Sequence, residues 1–194
     1  MDYLDTLRLI VLNPEQFLKE LEKEEKAGPA AVFLIVSAFL NSFFIIIMYY
    51  MFFFGVSLYV NRSSSDFRVW NFTGPLILGT IIFTILALIA WILYIVLVHL
   101  LAFLFNRNIR FLRTFQIVAY GSATYFLFSL IPIFGLLSIF YTIYIVAIGI
   151  AKFHKLEMPK AVAVAIIPPM ILILFILLII FSIFMTLTRI VDPY

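Results

Sequence analysis

PLILGTIIFTILALIAWILYIVLVHLLAFLF, running from Pro75 to Phe105, contains no Asp, Glu, Lys or Arg. A helix rises about 1.5 Å per residue and a hydrocarbon core is about 30 Å thick, so roughly 20 apolar residues suffice to cross a bilayer. Four further stretches are free of formal charge: Pro29–Phe54, Thr114–Ile131, Ile133–Ala151 and Ala161–Thr188. The stretch from Thr114 is short but adequate. The pattern predicts an all-α integral membrane protein. Its membrane domain covers 29–194, with five transmembrane helices at about 29–54, 75–105, 114–131, 133–151 and 161–188. Residues 1–28 are left as a cytoplasmic segment of short amphipathic helices.

Composition agrees with this class. The chain of 194 residues is 65% hydrophobic and 12% charged, against about 25% charged in soluble domains. Its net charge of +3 does not point to nucleic acid, because the bases sit at the boundaries of the apolar stretches. Arg8, Lys19, Lys23 and Lys26 precede the first stretch. Arg107, Arg110 and Arg113 separate the second from the third, and Lys152, Lys155 and Lys160 the fourth from the fifth. Only Arg62, Arg68 and Arg189 fall on the opposite side. Cytoplasmic loops are the Lys/Arg-rich ones. A multi-pass protein with the N-terminus in the cytoplasm and the C-terminus outside is expected, and five crossings are needed for the signs to alternate.

Chemistry is sparse. Cysteine is absent, which removes disulfides, thiolate metal sites and Cys nucleophiles. The two histidines, His99 and His154, have no carboxylate spaced for metal ligation, and His99 reads as an interhelical hydrogen bonder. No Asp, Glu, Lys or Arg lies inside a span, where one would mark an ion path or proton relay. Phosphate loops, dinucleotide fingerprints and nucleophile elbows are missing. No catalytic residue, cofactor or metal is expected, and the protein is not expected to be an enzyme. No secretory signal peptide is read at the N-terminus, which is acidic and precedes an apolar run too long for one.

The first 28 residues suggest two helices. Tyr3, Leu4, Leu7, Ile10 and Val11 share one face. Asn13 and Pro14 form a helix start, with proline where its missing N–H costs nothing, and Phe17, Leu18 and Leu21 give the second helix a stripe. Glu15/Lys19 and Glu22/Lys26 have the spacing of helical ion pairs. The stripes suit a membrane interface or a docking partner on one reading, and packing on the chain itself on another. The outer loop at about 55–74 holds Asn61-Arg62-Ser63 and Asn71-Phe72-Thr73, making Asn61 and Asn71 candidate glycosylation sites. The turn Leu130–Gly135 has no strongly polar residue, so it is either covered by protein or an ordinary apolar hairpin. Pro168 and Pro169 predict a kink or break in the last span, more often structural than part of a gate.

The mild polar residues of the third span, Gln116, Tyr120, Ser122 and Thr124, form a candidate interhelical cluster. They could line a polar pocket. Hydroxyls and amides more commonly hydrogen-bond between helices, and small residues such as Ala119/Ala123 let helices approach closely.

Several segments resemble the Yip domain family, named for Ypt/Rab-interacting proteins. Asn13-Pro14-Glu15-Gln16-Phe17 resembles the NPxxF lead-in of prokaryotic-type members. Phe111-Leu112-Arg113-Thr114-Phe115-Gln116-Ile117-Val118-Ala119-Tyr120-Gly121-Ser122 is similar to the family's basic approach to an AY(G/A)S helix. Leu130–Gly135 resembles its iPxxG hairpin, and Gly149–His154 with Pro159-Lys160-Ala161 its inner loop. Thr73-Gly74-Pro75-Leu76 is weakly similar to the GP before a span in eukaryotic members. The resemblance implies five spans with an inward N-terminus, and eukaryotic members act in membrane trafficking and bind prenylated small GTPases. The long cytoplasmic region of those members has no counterpart here, which argues against small-GTPase binding. The reading is a non-enzymatic scaffold, organiser or trafficking-type factor. Its expected partners are the lipid bilayer and, by helix assembly, itself or other membrane proteins. The alternative is a small transporter or channel for a neutral or lipid-like solute.

Overall fold

The computed structural model describes residues 3–60, 70–129 and 132–191. Among them are seven helices and no strand: α1 (Tyr3–Leu12), α2 (Pro14–Lys23), α3 (Gly28–Val60), α4 (Trp70–Phe105), α5 (Phe111–Phe128), α6 (Pro132–His154) and α7 (Met158–Val191). A chain this apolar must satisfy its own backbone, and helices do so without a partner.

The bundle is organised around α5, which packs against α1, α3, α4 and α6; α7 lies on α4 and α6. Every residue from Gln116 to Thr124 is buried. Among the described residues four helices are long and apolar enough to cross a membrane: Gly28–Phe52, Gly74–Phe105, Leu137–His154 and Met158–Met185. The fifth expected span, α5, is not among these candidates. Its eighteen residues include Arg113, Gln116, Tyr120, Ser122 and Thr124. A helix walled in on all sides faces other helices rather than lipid, so its sequence is free to be polar.

The starts of α3, α5 and α7 and the ends of α4 and α6 form one end of the bundle, here termed the base. The end of α5 and the start of α6 lie at the other. The connection expected at 55–74 is shorter than its composition suggests, because α3 runs to Val60 and α4 begins at Trp70. Asn71 therefore falls in the first turn of α4, while Asn61 lies outside the described residues. Pro132–Gly135 is likewise the first turn of α6 rather than a loop; proline suits that position. Leu130 and Ile131 lie outside the described residues. At the base α6 stops at Lys155, whose φ of 53° is left-handed, and the Leu156 N–H returns to the Ala151 carbonyl at 3.2 Å. This is the long-range bond of a helix C-terminal cap.

The expected break at the proline pair does not occur: α7 continues through Pro168 and Pro169. Two close approaches set the core packing. A Cβ on Gly149 of α6 would meet Cγ2 of Ile117 at 2.5 Å, and one on Gly121 would meet Cγ2 of Val146 at 3.2 Å. Glycine here lets α5 and α6 touch backbone to side chain.

Candidate functional site

The N-terminal helices lie on the bundle. Phe17, Leu18 and Leu21 of α2 are buried, as is Ile10 of α1. Of the stripe expected on α1, Leu4 points outward at 72% exposure, and Thr6 is buried instead. The Tyr3 hydroxyl meets Ser37 Oγ at 2.8 Å. The Tyr141 hydroxyl donates to the carbonyls of Ile10 and Val11 at 3.0 and 2.9 Å. Ser37 is nine residues into α3 and Tyr141 thirteen before the end of α6, so α1 sits about 14–20 Å above the base. Asn13 occupies the position before α2 without a side-chain cap.

Arg113 fastens this hairpin. Its guanidinium donates to the carbonyls of Leu21 and Glu24 at 2.8 Å each, and of Glu22 at 3.1 Å. The last carbonyls of a helix lack intrahelical donors and carry the negative end of its dipole, so a cation is well placed here. Gln116 Nε2 donates to the Glu24 and Lys26 carbonyls at 3.1 and 3.0 Å, and to Glu24 Oε1 at 3.3 Å. Its own Oε1 accepts from Arg113 at 3.1 Å. Tyr120 donates to Glu24 Oε2 at 2.8 Å and packs on Phe17 and Phe33. Lys152 closes the seam with a 2.9 Å ion pair to Glu22. The spacing that suggested Glu22/Lys26 fails because α2 ends at Lys23; that lysine pairs with Glu20 at 2.9 Å.

The four residues expected to cluster therefore divide. Gln116 and Tyr120 serve the hairpin. Ser122 bonds back to the Ala119 carbonyl at 2.6 Å. Thr124 bonds back to Gly121 and meets Thr142 Oγ1 at 2.8 Å, joining α5 to α6. Asn41 of α3 donates to the Phe126 carbonyl at 2.8 Å and to Ser129 Oγ at 2.6 Å, covering the far end of α5. Among the described residues no buried side-chain nitrogen or oxygen lacks a partner.

Two groupings have partners that the sequence does not name, although His99 is expected to bond between helices and does so. Thr114 bridges both histidines, at 3.0 Å to His99 Nδ1 and 2.8 Å to His154 Nε2. Asn106 Nδ2 donates to the His154 carbonyl at 2.8 Å. One hydroxyl thus ties α4, α5 and α6 at the base. Among the described residues no three His or acidic side chains gather to hold a metal. The second grouping lies at the proline pair of α7. Pro169 has no N–H for the carbonyl four residues back, that of Ala165. The Tyr94 hydroxyl reaches across from α4 and donates to that carbonyl at 3.1 Å. Beside it lies a crevice of about 280 Å³ between α4, α5, α6 and α7.

These features define a polytopic helical membrane protein whose N-terminal hairpin is docked on its bundle. The sequence pattern of the Yip1 domain matches residues 8–180, and the chain belongs to the Yip1 domain family. No curated protein and no solved structure matches it.

Proposed function

We propose that the protein is a non-enzymatic membrane scaffold of five crossings, with α5 as the enclosed fifth. The base faces the cytoplasm, the N-terminal hairpin packs on the spans above it, and the C-terminus lies outside. The outward face of α1 carries this reading. It presents Asp5 and Arg8, both exposed, between Leu4 and Leu12, exposed at 72% and 63%. Neither charge takes part in an ion pair among the described residues. At 14–20 Å above the base this strip lies at the level of the spans, where a charge against lipid costs about 2.5–3.5 kcal/mol or more. Such a strip suits a second membrane protein with complementary charge: another copy of this chain, or a different protein. The saturated hydrogen bonding around α5 supports a packed core rather than a passage for solute.

A photoreactive residue at Leu12 tests the reading in native membranes. The expected product is a protein adduct, at twice the chain's 22.4 kDa if the partner is a second copy. Swapping Asp5→Arg should weaken it. Adducts to lipid alone would refute the scaffold reading. Uptake of a neutral solute by the purified protein in vesicles would favour a transporter.

A further inference from the structure

On the opposite side from the hairpin, the geometry points to a binding site for one hydrocarbon chain of a membrane phospholipid. The site is the crevice of about 280 Å³ walled by Trp91, Tyr125, Ile143, Pro169 and Leu172. Three observations define its occupant. The first is level. Trp91 and Tyr94 lie fourteen and eleven residues before the end of α4, about 21 and 17 Å above the base. That is mid-depth for a core about 30 Å thick, where the surrounding solvent is acyl chain.

The second observation is chemical. Of the polar groups on the walls, Tyr94 is engaged with the Ala165 carbonyl and Thr142 with Thr124, which leaves the Trp91 N–H and the Tyr125 hydroxyl. The floor is aromatic, with Trp91 packed edge-on to Tyr94 at 5.3 Å and tilted on Tyr125 at 6.0 Å. With no charged side chain in its lining, the site has nothing to hold a charged headgroup. The occupant is apolar.

The third is the cost of leaving the site empty. The crevice opens to its surroundings, so the atoms on its walls reach full dispersion contact only when an apolar group lies against them. The shape persists because Pro169 forms part of the wall. The bond that replaces its missing N–H comes from Tyr94, another lining residue, so α4 is held at a fixed spacing from α7.

Trp91 is a built-in reporter, since the chain's only other tryptophan is Trp70. In a Trp70→Phe background, phosphatidylcholine brominated at mid-chain is titrated into the full-length protein in maltoside micelles. Quenching of Trp91 should saturate, and unbrominated phosphatidylcholine should reverse it by competition. Ile143→Phe, which fills the crevice, should at least halve the quenchable fraction. Should that variant fail to fold, Ala90→Leu at the rim serves the same purpose. Ile82→Phe, on the lipid-exposed face of α4, should change nothing. Quenching that rises in proportion to lipid mole fraction without saturating would overturn the site. So would saturable quenching untouched by a folded crevice variant. Free fatty acid brominated on the same chain but quenching more strongly than the phospholipid would also overturn the assignment.

Discussion

Tyr94 and Pro169 should be thermodynamically coupled, and the sign of the coupling follows from one carbonyl. In the native chain Ala165 has no helical donor because residue 169 is proline, and the Tyr94 hydroxyl supplies the bond at 3.1 Å. Tyr94→Phe leaves that acceptor buried and unpaired, which costs about 1–3 kcal/mol. Interhelical hydrogen bonds in membranes average only about 0.6 kcal/mol, with a maximum near 1.7, because the unfolded reference finds other partners. The α7 helix offers Ala165 none, so a value at the upper end, about 1–2 kcal/mol, is expected. Pro169→Ala restores an N–H four residues on and removes a helix-interior proline, worth up to about 3 kcal/mol. In that background Tyr94→Phe should cost under about 0.5 kcal/mol. Reversible unfolding of the four proteins in mixed SDS and maltoside micelles measures the cycle. Additivity of the two changes within about 0.5 kcal/mol would mean they do not interact, and the carbonyl argument would be wrong.

Other outcomes follow from the same structure. Gly149→Ala should destabilise by about 1–3 kcal/mol through overpacking on Ile117, and Ile117→Ala should relieve part of that cost in the double variant; equal melting of Gly149→Ala and the parent would contradict the contact. Arg113→Met should loosen the hairpin by about 1.5–3 kcal/mol, the range for bonds to a charged donor. Hydrogen exchange across residues 14–23 should then quicken while α5 stays protected, and uniform exchange through both would show that Arg113 supports the whole bundle instead. Because the chain has no cysteine, Lys155→Cys should react with an impermeant reagent only after permeabilisation, and Ser64→Cys in intact cells; the reverse pattern would invert the orientation.

The long apolar helices were legible because lipid exposure demands an unbroken run of one kind of residue. Composition therefore states α3, α4 and most of α7 directly. Helix ends were less legible: the polar residues about Asn71 look like loop, yet α4 already includes them. The hairpin was half legible. The stripe of Phe17, Leu18 and Leu21 marks a buried face but not the surface that buries it. Arg113 shows why. At a membrane boundary a base reads as an orientation signal, and nothing in its neighbours announces that it caps carbonyls more than eighty residues away. Gln116 and Tyr120 were found as polar residues in an apolar span, but their partner Glu24 sits in an acidic run that reads as solvated. His99 was legible as an interhelical hydrogen bonder, but its bridge through Thr114 to His154 depends on tertiary contact. The proline pair forecasts a kink or a break; α7 runs on without a break, and the tyrosine that takes the Ala165 carbonyl is not legible from the local sequence.

The apolar helices differ widely in length. The charge-free stretches Pro29–Phe54, Pro75–Phe105, Ile133–Ala151 and Ala161–Thr188, carried by α3, α4, α6 and α7, hold 26, 31, 19 and 28 residues, or about 39, 47, 29 and 42 Å along their axes. To fit α4 within a core of about 30 Å by tilt alone would take about 50°, beyond the roughly 40° limit seen for membrane helices. The α6 segment in the same core is slightly short while standing upright. The lipid annulus therefore meets a tall wall at α4 and α7 and a low one at α6, and must thicken toward one side. Mismatch costs a fraction of a kcal/mol per ångström, so the chain should partition toward thicker membranes and, in a thin one, turn its tall walls toward each other.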